Sequence, residues 1–353
     1  MEILNRGRLD TAKRAFATRR VPAGAVRGLL ATGQPPAPGD LVLARVTGLG
    51  SHSRIELPSG RRAMLLPGDE IVLAYGNRYA PDQYEAYVPE DLAPCHMVAA
   101  GGIAARAVGW HDRLNGPTEI EPIGLLADRD GCVINVRDFA LSSSFVAPIA
   151  APTDVFAVFG TSMNAGKTTT AAGLVKGFAA AGYRVGAAKI TGTGAGGDLW
   201  LMRDYGAAEA LDFTDAGHAT TFGVEHDEVL AATQCLLAAL AKARCDVAIL
   251  EIADGLFQAE TAALAESEAL TTELTGTFFA AGDAMGAVAG AEHLARLGHK
   301  VLGISGALTR SPLAQREAST ATGVPVLPLE QLTDPGAVRA WASAQRSALA
   351  AAE

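Results

Sequence analysis

Residues 155–173 read VFAVFGTSMNAGKTTTAAG, an apolar run that meets Gly160 and then passes through Gly166-Lys167-Thr168-Thr169 into an Ala-rich stretch. A strand that turns through glycines into a helix aims the backbone N–H groups of the turn and of the helix start into one concavity, which suits a phosphate chain. Gly160, Thr161, Asn164, Ala165, Gly166 and Thr169 would line that cradle. Lys167 would bring a positive charge to the β- and γ-phosphates, and the Thr168 hydroxyl would sit on Mg²⁺. The loop is G-x5-G-K-T, with Thr161 where the usual spacing has glycine.

Further along the chain, other groups fit a phosphate-handling crevice at the carboxyl ends of parallel strands. Lys189 ends an apolar run and needs an anion or water beside it. The loop 191–197, TGTGAGG, has little side chain and suits close backbone approach to a ligand. Glu251 ends the run DVAILE, well placed for a metal, and Asp254 follows it. The segment 211–218, LDFTDAGH, gathers Asp212, Asp215 and His218, a source for a metal ligand and a general base. Asp198, Asp212 and Asp215 compete as the third carboxylate of a metal site. Asp283 reads as a helix N-cap, and Ser305-Gly306, after a later strand, is placed for contact with a purine ring.

The elements that must carry these groups change in texture near residue 150. Before it, short alternating runs at 40–46, 53–58, 61–67, 69–75 and 121–126 and the run 132–136 predict a β-rich domain, with a helix at 95–108. The loop 48–54 reads as a polar hairpin loop between two strands, and the tyrosine-rich stretch 75–87 as a packed loop between domains. After Pro152, strands at 155–159, 184–190, 210–213, 246–252, 276–281, 300–305 and 325–327 alternate with helices at 167–181, 226–243, 284–297 and 312–322. That alternation predicts a three-layer α/β domain with a mostly parallel sheet, residues 149–353, preceded by a smaller β-rich (α+β) domain, residues 1–148, with 142–154 as linker.

The chain has 353 residues, enough for two domains. Net charge is −9, although residues 1–62 hold 11 basic against 4 acidic groups. A solvated Arg-rich face accounts for that excess, and no continuous basic stripe points to nucleic acid. The longest apolar windows fall short of a membrane span, and the charged N-terminus lacks a signal h-region, so a cytoplasmic location is expected. Four cysteines without a CxxC pair read as buried free thiols. The histidines form no zinc pattern, and no GxSxG elbow is present.

The loop, the strand ending AAKITGTGAGGD and the strand DVAILEIADG together resemble the dethiobiotin synthetase-like group of P-loop enzymes over residues 153–330. The resemblance implies a Mg²⁺–ATP-dependent biosynthetic kinase or carboxylate-activating ligase acting on a small anionic metabolite, working as a homodimer. It implies that Lys189 contacts substrate and phosphate and that Glu251 ligates Mg²⁺. Catalytic roles then fall to Lys167, Lys189 and Asp215, and metal ligation to Thr168, Glu251 and Asp212. The sequence also looks like a group in which some relatives are thought to acetylate D-amino acids; there the loop would hold acetyl-CoA. A third reading is a nucleotide-switched carrier or regulator. Relatives of that type carry an additional lysine early in the loop, where this chain has Ser162, Met163 and Asn164.

Overall fold

The computed structural model describes residues 2–3, 6–31, 34–141 and 154–350, with side chains to 342. The expected boundary at 148/149 and most of the linker 142–154 lie outside the described residues. The chain forms two compact units that are not consecutive stretches. The first comprises Met1–Leu141 with Gly192–Gly197 and Phe213–Gly223, and the second comprises Ser142–Thr191, Asp198–Asp212 and Val224–Glu353. Two segments of the second half of the sequence therefore pack in the first unit.

The first unit is β-rich. Thr118–Ala127 pairs with Leu41–Gly48, that strand with Glu70–Tyr75, and Glu70–Tyr75 with Ile103–Trp110. Ile103–Trp110 pairs with Cys95–Ala99, which returns to Thr118–Ala127. The ring of five strands is closed, which removes the unpaired edges an open sheet would present. Strand alternation divides the side chains between two cores. Val42, Ala44, Val46, Ile71, Leu73 and Tyr75 enter one, and Leu41, Leu43, Val72 and Ala74 enter the other.

Three expectations for this half are corrected. The helix at 95–108 is instead two antiparallel strands, Cys95–Ala99 and Ile103–Trp110, joined through Gly101-Gly102. Gly102 has φ +96°, and a Cβ there would stand 1.9 Å from the Ala15 Cβ, so glycine is required. The loop 48–54 closes no hairpin, because Arg54–Glu56 pairs with Arg62–Met64 rather than with Leu41–Gly48. The stretch 75–87 is largely strand. Tyr75 and Tyr84 are buried, and Tyr79 and Tyr87 lie against the Phe222 ring at 5.4 and 5.9 Å.

The second unit is the parallel three-layer α/β domain. Its six strands lie in the order Glu209–Asp212, Val185–Lys189, Val247–Glu251, Asp154–Gly160, Gly276–Ala280, Val301–Ser305. All five pairings are parallel. The central strands are buried along their length, which is why they read as unbroken apolar runs. The helices Lys167–Ala180, His226–Lys242, Ala284–Arg296 and Pro312–Thr322 fall where expected, with a further helix at Gly197–Asp204. Residues 325–327 form no strand, only a single bridge from Val326 to Ile304. No helix among the described residues is long and apolar enough to cross a membrane. Cys95 and Cys245 are buried as expected, but Cys132 is exposed and Cys235 half-buried.

Candidate phosphate-binding site

Strand register lines up the chemistry at the carboxyl edge of the parallel sheet. Asp212 is level with Lys189, Lys189 with Glu251, and Glu251 with Val158 of the first strand. Two residues further on, Gly160 is level with Ala280, and Ala280 with Ser305. Parallel strands with matched ends place these groups in one row without any long loop to hold them.

From Gly160 the chain closes a tight turn. The Thr161 N–H donates to the Ala280 carbonyl at 3.0 Å, and Ala165 to Ser162 at 3.3 Å. Asn164 (φ 65°) and Gly166 (φ 101°) are both left-handed. A Cβ at Gly160 would meet Lys167 Cγ at 2.7 Å, and a Cβ at Gly166 would meet Gly306 Cα at 2.8 Å. Both glycines are therefore fixed by close approach. The helix Lys167–Ala180 begins with no side-chain cap, so its first N–H groups point outward without a side-chain acceptor. Thr170 instead donates back to the Gly166 carbonyl at 2.9 Å.

Lys167 is 5% exposed, and its Nζ donates to the Ser162 carbonyl at 2.8 Å, folding the side chain over the loop. Burial holds its pKa below the ordinary lysine value, although Glu251 and Asp254 work the other way. The Thr168 hydroxyl donates to Glu251 Oε1 at 2.7 Å. Lys189 Nζ is bonded to Asp198 Oδ2. Burial alone would depress Lys189, but Asp198 and Glu251 outweigh it and raise its pKa. Burial likewise opposes ionisation of Asp198, yet the Lys189 charge and the Thr168 hydroxyl bring its pKa below the ordinary value. Glu251 behaves oppositely: burial, reinforced by the Asp198 charge, pushes it up to about 7 against the pull of Lys189 and Thr168. Its Oε2 is buried without a hydrogen-bond partner.

Of the expected site residues, the structure brings Lys167, Thr168, Lys189 and Glu251 into one interacting group, and Asp198 is the carboxylate that joins them. Asp254 stands close enough to act on both lysines and has a left-handed backbone (φ 64°). A Cβ on its neighbour Gly255 would meet the Thr161 carbonyl at 2.3 Å. Asp212 is buried at its strand end, level with Lys189. Asp215 belongs to the first unit, where its carboxylate accepts from Arg19 at 2.6 Å and Arg20 at 3.4 Å. His218 is in the first unit too. Asp283 is an N-cap, accepting from the Gly286 N–H at 2.8 Å. Ser305 borders a cavity of about 300 Å³ with Asn164, Gly166, Thr169, Arg310 and Glu330.

The role of Asp198 had a readable sequence signal, a carboxylate opening a helix directly after the glycine loop, but only the return of that helix to Lys189 distinguishes it from Asp212 and Asp215. Among the described residues no group of three or more His, Cys, Asp or Glu side chains forms a metal cage. The oxygen donors present, a hydroxyl and a carboxylate with an unpartnered oxygen, fit a hard cation that keeps most of its water.

No protein-family model and no curated protein matches the sequence. Solved structures do resemble it. The signal recognition particle receptor FtsY from Elizabethkingia anophelis is 16% identical over 50% of this chain and 58% of that one, with a TM-score of 0.35. FtsY from Thermotoga maritima is 18% identical over 54% and 66%, with a TM-score of 0.35. Signal recognition particle 54 kDa protein from Aeropyrum pernix, solved in complex with GDP, is 16% identical over 57% and 51%, also at 0.35. The chain thus spans between half and two thirds of the length of these structures. The P-loop α/β fold rests on the second unit's own loop and sheet order.

Proposed function

We propose that the second unit binds a Mg²⁺–nucleoside triphosphate, ATP in the first instance, and passes its terminal phosphoryl group to a small anionic metabolite, as a biosynthetic kinase or carboxylate-activating ligase of the dethiobiotin synthetase-like kind. The observation that carries this reading is the second lysine. A loop that only held a nucleotide would need Lys167 and Thr168, whereas here Lys189 is also held beside them by a carboxylate.

Bound Mg²⁺–ATP would supply the transferable phosphoryl group. Lys167 and the outward N–H groups of the loop would neutralise its charge. Thr168 and Glu251 would hold the cation, and the Asp198 charge also acts on Glu251. Lys189 would orient the acceptor anion, which must compete with Asp198 for the ammonium. The cavity beside Ser305 has room for a nucleotide base.

Calorimetric titration with ATP, GTP and acetyl-CoA, with and without Mg²⁺, tests the proposal on the wild type and on Lys167→Ala. The expected result is Mg²⁺-dependent ATP binding, weakened roughly ten- to hundredfold by Lys167→Ala, the loss of one charge-assisted contact. Tight acetyl-CoA binding without ATP binding would establish acyl transfer instead. Nucleotide binding with no metabolite-dependent turnover would indicate a switch.

A further inference from the structure

The first unit contains a cavity of about 790 Å³, within the range of small-molecule sites. Its walls include Val26, Leu41, Val72 and Leu126, each no more than 8% exposed, so it reaches the core of the unit. Three charged residues also line it, Asp10, Lys13 and Arg14. Asp10 is exposed. The Lys13 ammonium is taken up by the Asp69 carboxylate and by the Met64 carbonyl at 2.9 Å.

Arg14 is different. It is half-buried, and its Nη2 donates to the carbonyls of Thr18 at 2.8 Å and Val21 at 2.6 Å. Among the described residues it meets no carboxylate, and Nε and Nη1 have no hydrogen-bond partner. A guanidinium cannot shed its proton to relieve burial. Carbonyl oxygens steady it but leave its charge uncompensated, a costly arrangement unless an anion shares the space.

We propose that this cavity is a binding site for a small amphipathic carboxylate, its charged end paired with Arg14 and its hydrocarbon body against Val26, Leu41, Val72 and Leu126. One uncompensated cation calls for one negative charge, and Asp10 on the wall disfavours a dianion. Nε and Nη1 each have an N–H left to donate, on different sides of the guanidinium, and a charge-assisted hydrogen bond to a carboxylate oxygen suits either. The apolar wall gives an aliphatic or aromatic body more contact than a sugar or phosphate chain would find.

Nucleotide-free titration with octanoate, 1-octanol and acetate tests the site. Octanoate is expected to bind at least tenfold more tightly than either the neutral alcohol or the short anion. Arg14→Met should abolish the preference for octanoate over octanol. Because Arg14 also tethers two carbonyls, Ser59→Trp is the companion variant: it narrows the cavity at an exposed lining position and leaves Arg14 in place. It should weaken octanoate at least tenfold without changing the melting temperature. Octanoate binding no better than octanol, or equally well to folded Arg14→Met or Ser59→Trp, would overturn the assignment.

Discussion

Among individual residues, the buried cluster of two lysines and two carboxylates governs how the protein responds to pH and substitution. Glu251 has its pKa raised to about 7 from an ordinary value of 4.5. A carboxyl shifted upward favours the folded state at pH values below the ordinary one, and that contribution is lost as pH rises through about 7. In chelator-treated protein, the wild type should therefore lose melting temperature relative to Glu251→Gln between pH 5 and pH 8. An equal gap at both pH values would contradict the assignment. Lys189 and Asp198 hold each other, so Lys189→Met and Asp198→Asn should not act additively. A urea-denaturation cycle is expected to give a coupling of about 0.5–3 kcal/mol, and zero coupling would mean that the pair has no energetic content. Lys167, Thr168, Lys189 and Glu251 were legible in the sequence because each ends a strand or opens a helix. The choice of Asp198 was not, because three aspartates satisfy the same local pattern.

Turns, rather than the regular elements, are where small changes should cost most. Gly306 has φ +97°, and a Cβ there would stand 2.3 Å from the Ala165 carbonyl and 2.8 Å from the Ala281 nitrogen. Gly306→Ala should therefore destabilise by about 1–3 kcal/mol and weaken nucleotide binding by displacing the phosphate loop. Gly298 is the control. Its φ is +87°, but nothing lies within 4 Å of its Cβ position, so Gly298→Ala should carry only the left-handed backbone penalty, about 1–2 kcal/mol, and less than Gly306→Ala. Equal losses in urea melts would show that contact with the loop is not what fixes Gly306. Element type was readable in the parallel sheet, where fully buried strands give continuous apolar runs. It is less readable at 95–108, where CHMVAAGGIAARAV is rich in Ala and long enough for a helix, and only the Gly-Gly pair between its two halves signals the hairpin.

For the molecule as a whole, the chain crosses between its two units at 141/142, 191/192, 197/198, 212/213 and 223/224. The sequence gives no hint of this, since pairings such as Glu56 with the Gly196 N–H at 3.0 Å join residues 140 apart. Asp215 shows what such a tie is worth. Its carboxylate is 6% exposed and binds two arginines. Asp215→Asn would leave both cations undercompensated and should destabilise by about 3 kcal/mol, with turnover per folded molecule preserved. A loss of turnover at unchanged stability would instead support the general-base role expected of this residue from the sequence.

These crossings also bear on how the protein is made. The amino-terminal unit is not complete when its first 141 residues leave the ribosome, because two of its segments are still untranslated until residue 223 emerges. The five ring strands all lie within residues 41–127 and are made early, but domain-by-domain maturation is complete for this unit only when nearly two thirds of the polypeptide has arrived.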